Sequence, residues 1–239
     1  MKIGVITGEY PPMQGGVGDF TRELALALAA LGHEIHVITH TSAGSDDFSR
    51  RPAAQAATTN VMVHPVIPSW NLQSLLTIRR LARSLSLDLI NIQYQAAAYG
   101  MTPPIHFLPT AAGLPSVVTF HDLRVPYLFP KAGRLRRDAV TYLARSASGV
   151  IVTNPEDRLA LERDSRIRAL AEIPIGSNIT PKTQNPKSQN PKIPNPKLAG
   201  YRQKYGLSPD EIAVGYFGFL NASKGGETLF RALAQLPNY

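Results

Sequence analysis

The sequence predicts an α/β fold in which helices cover both faces of a parallel sheet. The first observation is that short apolar runs alternate with amphipathic helical patterns along most of the 239 residues. The second is that the apolar runs are nearly continuous, which is typical of strands buried on both faces. The third is a glycine-rich loop between the first predicted strand, Lys2–Thr7, and the first predicted helix, Val17–Leu31.

The remaining elements follow from the same two patterns. The later predicted strands are Glu34–Thr39, Asn60–Val66, Leu87–Gln93, Ser116–Phe120, Gly149–Thr153 and Ala169–Ile175. The later predicted helices are Asn71–Leu85, a short helix around Pro103–Ala112, Leu135–Ala147 and Pro155–Asp164. Asn154 suits the N-cap of the last helix because its side chain can accept from free amides, and Pro155 suits the first helical position.

A proline-rich segment, residues 179–198, interrupts this alternation. It contains QNPK at Gln184–Lys187 and at Gln189–Lys192, and the variant PNPK at Pro194–Lys197. Proline at short intervals without apolar periodicity predicts an extended linker. We therefore expect the first domain to occupy residues 1–178.

Residues 199–239 are expected to begin a second domain of the same kind. The elements predicted there are a helix at Tyr201–Tyr205, a strand at Glu211–Phe217 and a helix at Gly225–Leu236. A single strand–helix unit can hardly bury its own apolar faces. The second domain is therefore expected to be truncated in this chain.

Composition excludes several classes of protein and site. The chain has no cysteine, which excludes disulfides and thiolate metal sites. Its six histidines show no pair at ligand spacing with supporting acids, so no metal site is predicted. No apolar run approaches the roughly 20 residues of a membrane span. The N-terminus lacks the features of a signal peptide, which predicts a cytoplasmic location.

The net charge of +8 is partly a property of the linker. Four of the positive charges are Lys182, Lys187, Lys192 and Lys197. A second basic concentration spans residues 131–145, from just before the predicted helix Leu135–Ala147 into its last turn. A solvated helix face is its ordinary interpretation, and contact with a phosphate-bearing acceptor or a peripheral membrane surface is the alternative. Nucleic acid is disfavoured because no stacking aromatics interleave these charges.

The loop EYPPMQGGVGDF, residues Glu9–Phe20, carries the clearest signal of a site. Gly15, Gly16 and Gly18 stand where the loop becomes a helix, and glycine there permits positive φ and close approach of a ligand. The free amides of a helix start favour an anion, usually a phosphate. The alternative is a loop that merely turns tightly. An NAD site is disfavoured because GxGxxG is absent and no acid ends the second strand.

Other polar residues stand where such a fold binds ligands. Gln93, Tyr94, His121 and Asp122 end or follow two predicted strands, at the carboxyl edge of the sheet. A structural histidine hydrogen-bonded by Asp122 is the alternative for His121. Lys224 precedes two glycines at a loop-to-helix junction, which suits a diphosphate, although a solvated lysine fits the same pattern.

Four segments together resemble glycosyltransferase family 4, the retaining nucleotide-sugar transferases with two Rossmann-like domains (the GT-B fold). The segments are Glu9–Thr39, Thr119–Asp122 (TFHD), Ile173–Asn178 (IPIGSN) and Tyr216–Leu229 (YFGFLNASKGGETL). The resemblance implies that the first domain is the Rossmann-like, acceptor-side half of such a fold. It also implies that the second domain binds the donor.

The resemblance also implies roles for individual residues. Gly15, Gly16 and Gly18 would approach the donor diphosphate or the acceptor. His121 would be the catalytic residue that contacts the donor sugar near the reacting carbon, and Lys224 would neutralise the diphosphate. The remaining candidates, as contacts to a glycan or lipid-linked acceptor hydroxyl, are Glu9, Gln93, Tyr94 and Asp122. No metal or cofactor is expected besides the nucleotide sugar, which is a substrate.

Two departures from the family pattern leave a second hypothesis open. Many relatives carry an arginine shortly before the lysine, whereas this chain has Gly218, Phe219 and Leu220. The family's donor-binding acids lie later in the second domain than this sequence extends. A non-catalytic remnant or binding module that lacks a full donor site is therefore the alternative to an active transferase. A sugar-nucleotide epimerase is disfavoured because its TGxxGxxG-type glycine motif is absent.

Overall fold

The structure is a computed structural model that describes residues 1–44, 60–123, 133–176, 200, 202–208, 214–216 and 225–235. Contacts between Cα atoms divide the chain into two units, Met1–Ile179 and Thr180–Tyr239.

The described part of the first unit is built on a parallel sheet of seven strands. The strands are β1 (Lys2–Thr7), β2 (Glu34–His40), β3 (Val61–Ile67), β4 (Leu89–Tyr94), β5 (Ser116–Phe120), β6 (Gly149–Val152) and β7 (Leu170–Glu172). Their order across the sheet is β3-β2-β1-β4-β5-β6-β7, and every neighbouring pair is parallel. The predicted α/β fold with a parallel, Rossmann-like sheet is confirmed.

Helices connect these strands as the sequence patterns predict, except for β2 and β3, whose connection at residues 45–59 lies outside the described residues. Those of the first unit are α1 (Gly16–Ala30), α2 (Leu72–Ser84), α3 (Leu108–Ala112), α4 (Gly133–Ser146) and α5 (Pro155–Leu161). A 3₁₀ turn at Pro103–Phe107 leads into α3, so the predicted short helix has two parts. The predicted cap of α5 is confirmed, because Asn154 accepts from Asp157 N and Pro155 opens the helix.

The sheet separates two apolar clusters. The smaller cluster lies on the face covered by α1 and includes Val5, Val37 and Ala25. The larger lies on the opposite face and joins Ile6 and Ile92 to apolar residues of α2, α3 and α4. Full burial of an aliphatic side chain of this size contributes roughly 1.5–3 kcal/mol. Adjacent strand residues such as Val5 and Ile6 are both completely buried, which explains why β1 has almost no polar positions.

The strand order creates a crevice at the carboxyl ends of β1 and β4. These two strands are neighbours in the sheet but not in the sequence, so the connections that follow them leave in opposite directions. Open α/β sheets bind ligands at such a point. The Tyr99 hydroxyl fixes the spacing of the two strand ends, since it lies 3.0 Å from the carbonyl oxygens of both Ile6 and Gln93.

Some element boundaries differ from the prediction. β4 begins at Leu89, two residues later than predicted, because Leu87 N donates back to Ala82 O at the end of α2 and not to a neighbouring strand. β7 is shorter than the apolar run that predicted it, and Ile173 beyond its end is 54 % exposed. Apolar residues therefore extend past the ends of both strands.

The second unit is described only in part. Its helix α6, Gly226–Leu233, lies within the predicted Gly225–Leu236, and residues 202–204 are helical as predicted. Residues 214–216 of the predicted strand Glu211–Phe217 have no regular secondary structure, and the rest of that strand lies outside the described residues. The linker prediction, residues 179–198, also lies outside them.

Candidate active site

Helix α1 begins at a residue that has no side chain to cap it. Its N-cap is Gly15, whose backbone is extended with φ of 177°. Glu9 supplies the missing acceptor from the preceding loop, because its Oε1 accepts from Val17 N at 3.0 Å and from Gly18 N at 3.2 Å. The carboxylate also lies at the positive end of the helix dipole, which strengthens both bonds. Glu9 is therefore the cap of α1.

Gly15 and Gly18 are needed for close packing and not for a left-handed backbone. None of the three predicted site glycines has a left-handed backbone, since Gly15 is extended. A Cβ atom on Gly15 would overlap the Glu9 carboxylate. A Cβ atom on Gly18 would lie 3.2 Å from Glu9 O and from Tyr10 Cα. By contrast, a Cβ atom on Gly16 would meet no heavy atom within 4 Å, so Gly16 is the open position of the loop.

The Glu9 cap gives a first testable prediction. We expect Glu9→Ala to lower the free energy of unfolding by about 1–3 kcal/mol, because the amides of Val17 and Gly18 lose a charged acceptor. Glu9→Gln keeps an oxygen of the same reach and should lose roughly half as much or less. Urea unfolding followed by circular dichroism measures both variants. Equal losses in the two variants would contradict the role of the charge.

His121 lies where α1, β4 and β5 meet. Its backbone N–H donates to Tyr94 O at 3.0 Å, which extends the pairing of the two strands by one residue. Its side-chain Nε2 lies 2.8 Å from Gln93 Oε1. The ring of Phe20, from α1, packs edge-on against the imidazole with a centroid distance of 4.9 Å. The structure thus brings the helix that follows the glycine loop into contact with the predicted catalytic histidine.

Burial decides the charge of His121. It lowers the pKa of the imidazole to about 4, because the charged form would lose its hydration. The ring is therefore neutral at pH 7. A neutral imidazole donates through one nitrogen and accepts through the other, so His121 is suited to a hydrogen bond with a hydroxyl and not to an ion pair.

The lowered pKa predicts a loss of stability in acid. An unfolded histidine titrates near pH 6.5, so between about pH 6.5 and 4 the unfolded chain takes up a proton that native His121 refuses. Stability is present above that range and falls as the pH decreases through it, by roughly 2–3 kcal/mol. Urea unfolding at about pH 7 and pH 4.5 should show this loss, and His121→Gln should remove most of it. His64, whose pKa burial also lowers, adds a loss of the same sign that remains in the variant. An unchanged pH dependence in His121→Gln would contradict the assignment.

Gln93 and Tyr94 do not share one surface, although both were predicted to contact the acceptor. Side chains alternate along a strand, so the two adjacent residues point to opposite faces of the sheet. Gln93 is 0 % exposed and turns to His121, whereas Tyr94 is 2 % exposed and lies in the larger apolar cluster. The Tyr94 hydroxyl is 2.8 Å from His106 Nε2. The Gln93 side chain contacts the His121 ring, whereas Tyr94 accepts from the His121 amide through its backbone carbonyl. A contact of either residue with the acceptor stays a prediction.

The loop that carries His121 and Asp122 is fixed by a residue that sequence reasoning missed. Asp157 is 2 % exposed and accepts from Leu123 N at 3.3 Å and from Asn154 Nδ2 at 2.8 Å. Its own amide donates to Asn154 Oδ1 at 2.8 Å, which is the N-cap hydrogen bond of α5. An aspartate three residues after a predicted N-cap was the available signal.

Most of the first unit matches a known protein family. Residues 15–176 match the family described as glycosyl transferase 4-like domain. The chain belongs to this family. The matched range begins at the N-cap of α1, contains the site glycines and His121, and ends just after β7.

Relatives of this glycosyl transferase 4-like chain are longer than the chain itself. Glycogen synthases of Mycobacterium tuberculosis, strains CDC 1551 / Oshkosh and ATCC 25618 / H37Rv, are 38 % identical over 64 residues, which is 26 % of this chain and 15 % of each relative. Sucrose-phosphate synthase from Thermosynechococcus elongatus has a similar structure, with a TM-score of 0.67 and 22 % identity over 99 % of this chain and 60 % of that chain. At this identity the likeness shows the fold alone. The chain spans less than two thirds of the length of these relatives.

The predicted diphosphate residue of this glycosyl transferase 4-like chain, Lys224, lies outside the described residues. The helix expected beside it is present as α6, whose N-cap Gly225 has a left-handed backbone with φ of 70°. That conformation explains why glycine follows the lysine. The role of Lys224 in binding a diphosphate stays a prediction.

The basic helix of the glycosyl transferase 4-like domain has one of its charges paired. Arg145, in the last turn of α4, donates from Nε to Asp164 Oδ2 at 2.6 Å. This hydrogen bond lowers the pKa of Asp164 to about 2. Membrane contact through residues 131–145 stays a prediction. Within the described ranges, no helix combines the length and the apolar character that crossing a bilayer requires.

Proposed function

We propose that this chain is the acceptor-side part of a retaining glycosyltransferase that moves a hexose from a nucleotide-diphosphate donor to a hydroxyl of a glycan or lipid-linked acceptor. Membership of the glycosyl transferase 4-like family supports glycosyl transfer. The observation that carries the finer proposal is the contact of α1 with His121 through Phe20 at the carboxyl edge of the sheet. This edge is where open α/β sheets bind ligands.

The Glu9 cap at the start of α1 limits how the glycine loop can bind a substrate. The amides of Val17 and Gly18 already donate to Glu9, so they are not available to a phosphate unless the carboxylate moves. A phosphate beside the carboxylate would also meet repulsion between like charges. We infer that a substrate approaches the loop at Gly16, the open position. Within the described residues Glu9 Oε2 makes no hydrogen bond, which leaves it able to accept from a sugar hydroxyl.

His121 suits contact with a neutral part of the donor. Its imidazole is uncharged at pH 7 and is held by Gln93 and Phe20, so it offers a fixed hydrogen bond to a sugar hydroxyl near the reacting carbon. In the proposed reaction the acceptor oxygen bonds to the anomeric carbon and the bond to the diphosphate breaks. The acceptor proton leaves with the diphosphate. The charge that develops on the diphosphate needs a cation, for which Lys224 is the proposed residue.

The test compares the 239-residue chain with the longest natural protein that contains it. Calorimetry with UDP- and GDP-sugars measures donor binding by each, and product analysis measures transfer by the longer protein. The proposal expects transfer by the longer protein, with the anomeric configuration of the donor kept in the product. Inversion of that configuration would overturn the retaining mechanism. Absence of both donor binding and transfer would favour a non-catalytic remnant or binding module.

A further inference from the structure

Three polar side chains lie behind His121 on one face of the sheet. Asn91 and Gln93 are two residues apart on β4, so they share a face, and Thr119 of β5 is the register partner of Gln93. His121 follows Thr119 by two residues and continues the same face. Polar residues at alternate positions of otherwise apolar strands were the sequence signal for this group.

The donors and the acceptor of the hydrogen bonds in this group are distinct. The Thr119 hydroxyl and the Gln93 amide nitrogen both donate to Asn91 Oδ1, at 3.2 and 2.8 Å. The Gln93 amide is thereby oriented with its oxygen towards His121, whose Nε2 is 2.8 Å away. An amide oxygen only accepts hydrogen bonds, so the imidazole hydrogen is on Nε2.

We propose that Gln93, oriented by Asn91 and Thr119, is a positioning residue that holds His121 in the tautomer protonated on Nε2 and leaves Nδ1 to accept from a substrate hydroxyl. Nδ1 has no hydrogen-bond partner among the described residues. The inference rests on the proposed function only for the statement that the hydroxyl belongs to a sugar substrate. The tautomer itself is inferred from the hydrogen bonds alone.

The choice of an amide at this position has a physical reason. Gln93 is completely buried, and a buried amide is tolerated when its oxygen and nitrogen both have partners, as they do here. A carboxylate at the same place would favour the doubly protonated imidazolium. Nδ1 would then become a donor and lose its ability to accept. An apolar side chain would leave the tautomer unspecified.

The direct test is the tautomer of His121 in the 239-residue chain at about pH 7. Long-range ¹H–¹⁵N spectra distinguish a protonated from an unprotonated ring nitrogen, and the spectrum of His121→Gln assigns the signals of His121 by their loss. We expect Nε2 to be protonated and Nδ1 to be unprotonated. Protonation on Nδ1, or a mixture of both tautomers, would overturn the proposal, and this measurement needs neither a variant of Gln93 nor enzymatic activity.

A substitution tests the role of the amide. Gln93→Glu should raise the pKa of His121 by at least about one unit, which the same spectra follow as a function of pH. The matched control is Gln73→Glu on the exposed side of α2, which adds the same charge away from His121 and should leave its pKa unchanged. An equal pKa in Gln93→Glu and the wild type would overturn the proposal. In the longer protein, the acidic limb of the transfer profile should move to higher pH. Absence of any transfer with the expected tautomer present would count against the proposed function and not against the role of Gln93.

Discussion

Gly8→Ala is expected to lower the free energy of unfolding by about 3 kcal/mol or more. Gly8 directly follows β1 and is buried. A Cβ atom there would overlap the carbonyl group of Ala98, which is backbone and cannot rotate away. Ala98 belongs to a tight turn in which Tyr99 also binds the ends of β1 and β4, so the turn cannot shift without loss of those hydrogen bonds.

The matched control for this prediction is Gly16→Ala in the neighbouring loop. A Cβ atom on Gly16 would meet no heavy atom within 4 Å, and alanine is a better helix former than glycine by about 1 kcal/mol. Its stability should therefore be unchanged or slightly higher. Urea unfolding measures both variants. A loss in Gly8→Ala no larger than that in Gly16→Ala would contradict the close packing of the β1 end against Ala98.

His121→Ala is expected to reduce kcat for glycosyl transfer by about 10²–10³-fold in the longest natural protein that contains this chain. The substitution removes a neutral imidazole that Gln93 and Phe20 hold in a fixed position. A hydrogen bond that strengthens as the donor sugar separates from the diphosphate would be lost with it. Initial rates at saturating donor and acceptor measure the effect.

The control for this variant is another histidine at the end of a strand. His40 ends β2 at the same edge of the sheet, and its ring nitrogens are bonded to Pro68 O at 3.2 Å and Ser42 N at 3.0 Å. Neither hydrogen bond joins His40 to a residue of the candidate site. His40→Ala should therefore leave kcat within a few-fold of the wild type. A kcat for His121→Ala within the range of this control would contradict a catalytic role for His121.

Much of the fold was predictable because it depends on local patterns. The sequence of β1 and α1 shows a continuous apolar run, a glycine loop and a helical stripe, and each of these survives in the structure. The cap at Asn154 was predictable for the same reason, since a cap depends on a few neighbouring residues. The ends of β4 and β7 were not, because Leu87 and Ile173 continue the apolar run while only hydrogen bonds to a neighbouring strand decide where a strand ends.

The sequence predicted which polar residues end the strands but not how they are arranged. The positions of His121 and the glycines at the carboxyl edge follow from the parallel direction of the strands, which the alternating pattern already implied. The contrast between Gln93 and Tyr94 also follows from strand alternation once the faces are known. Which face belongs to the site depends on where α1 packs, and no local pattern carries that information.

For the glycine loop, the sequence by itself determined that a helix starts there and that close approach of some group is needed. The tertiary structure decided that the group approaching Gly15 is the carboxylate of Glu9, which caps α1 at Val17 and Gly18. It also decided that Phe20 brings this helix to His121. The physical reason is that propensity and periodicity are properties of neighbouring residues, whereas a side chain that folds back as a cap, or packs across strands, is chosen by the whole chain.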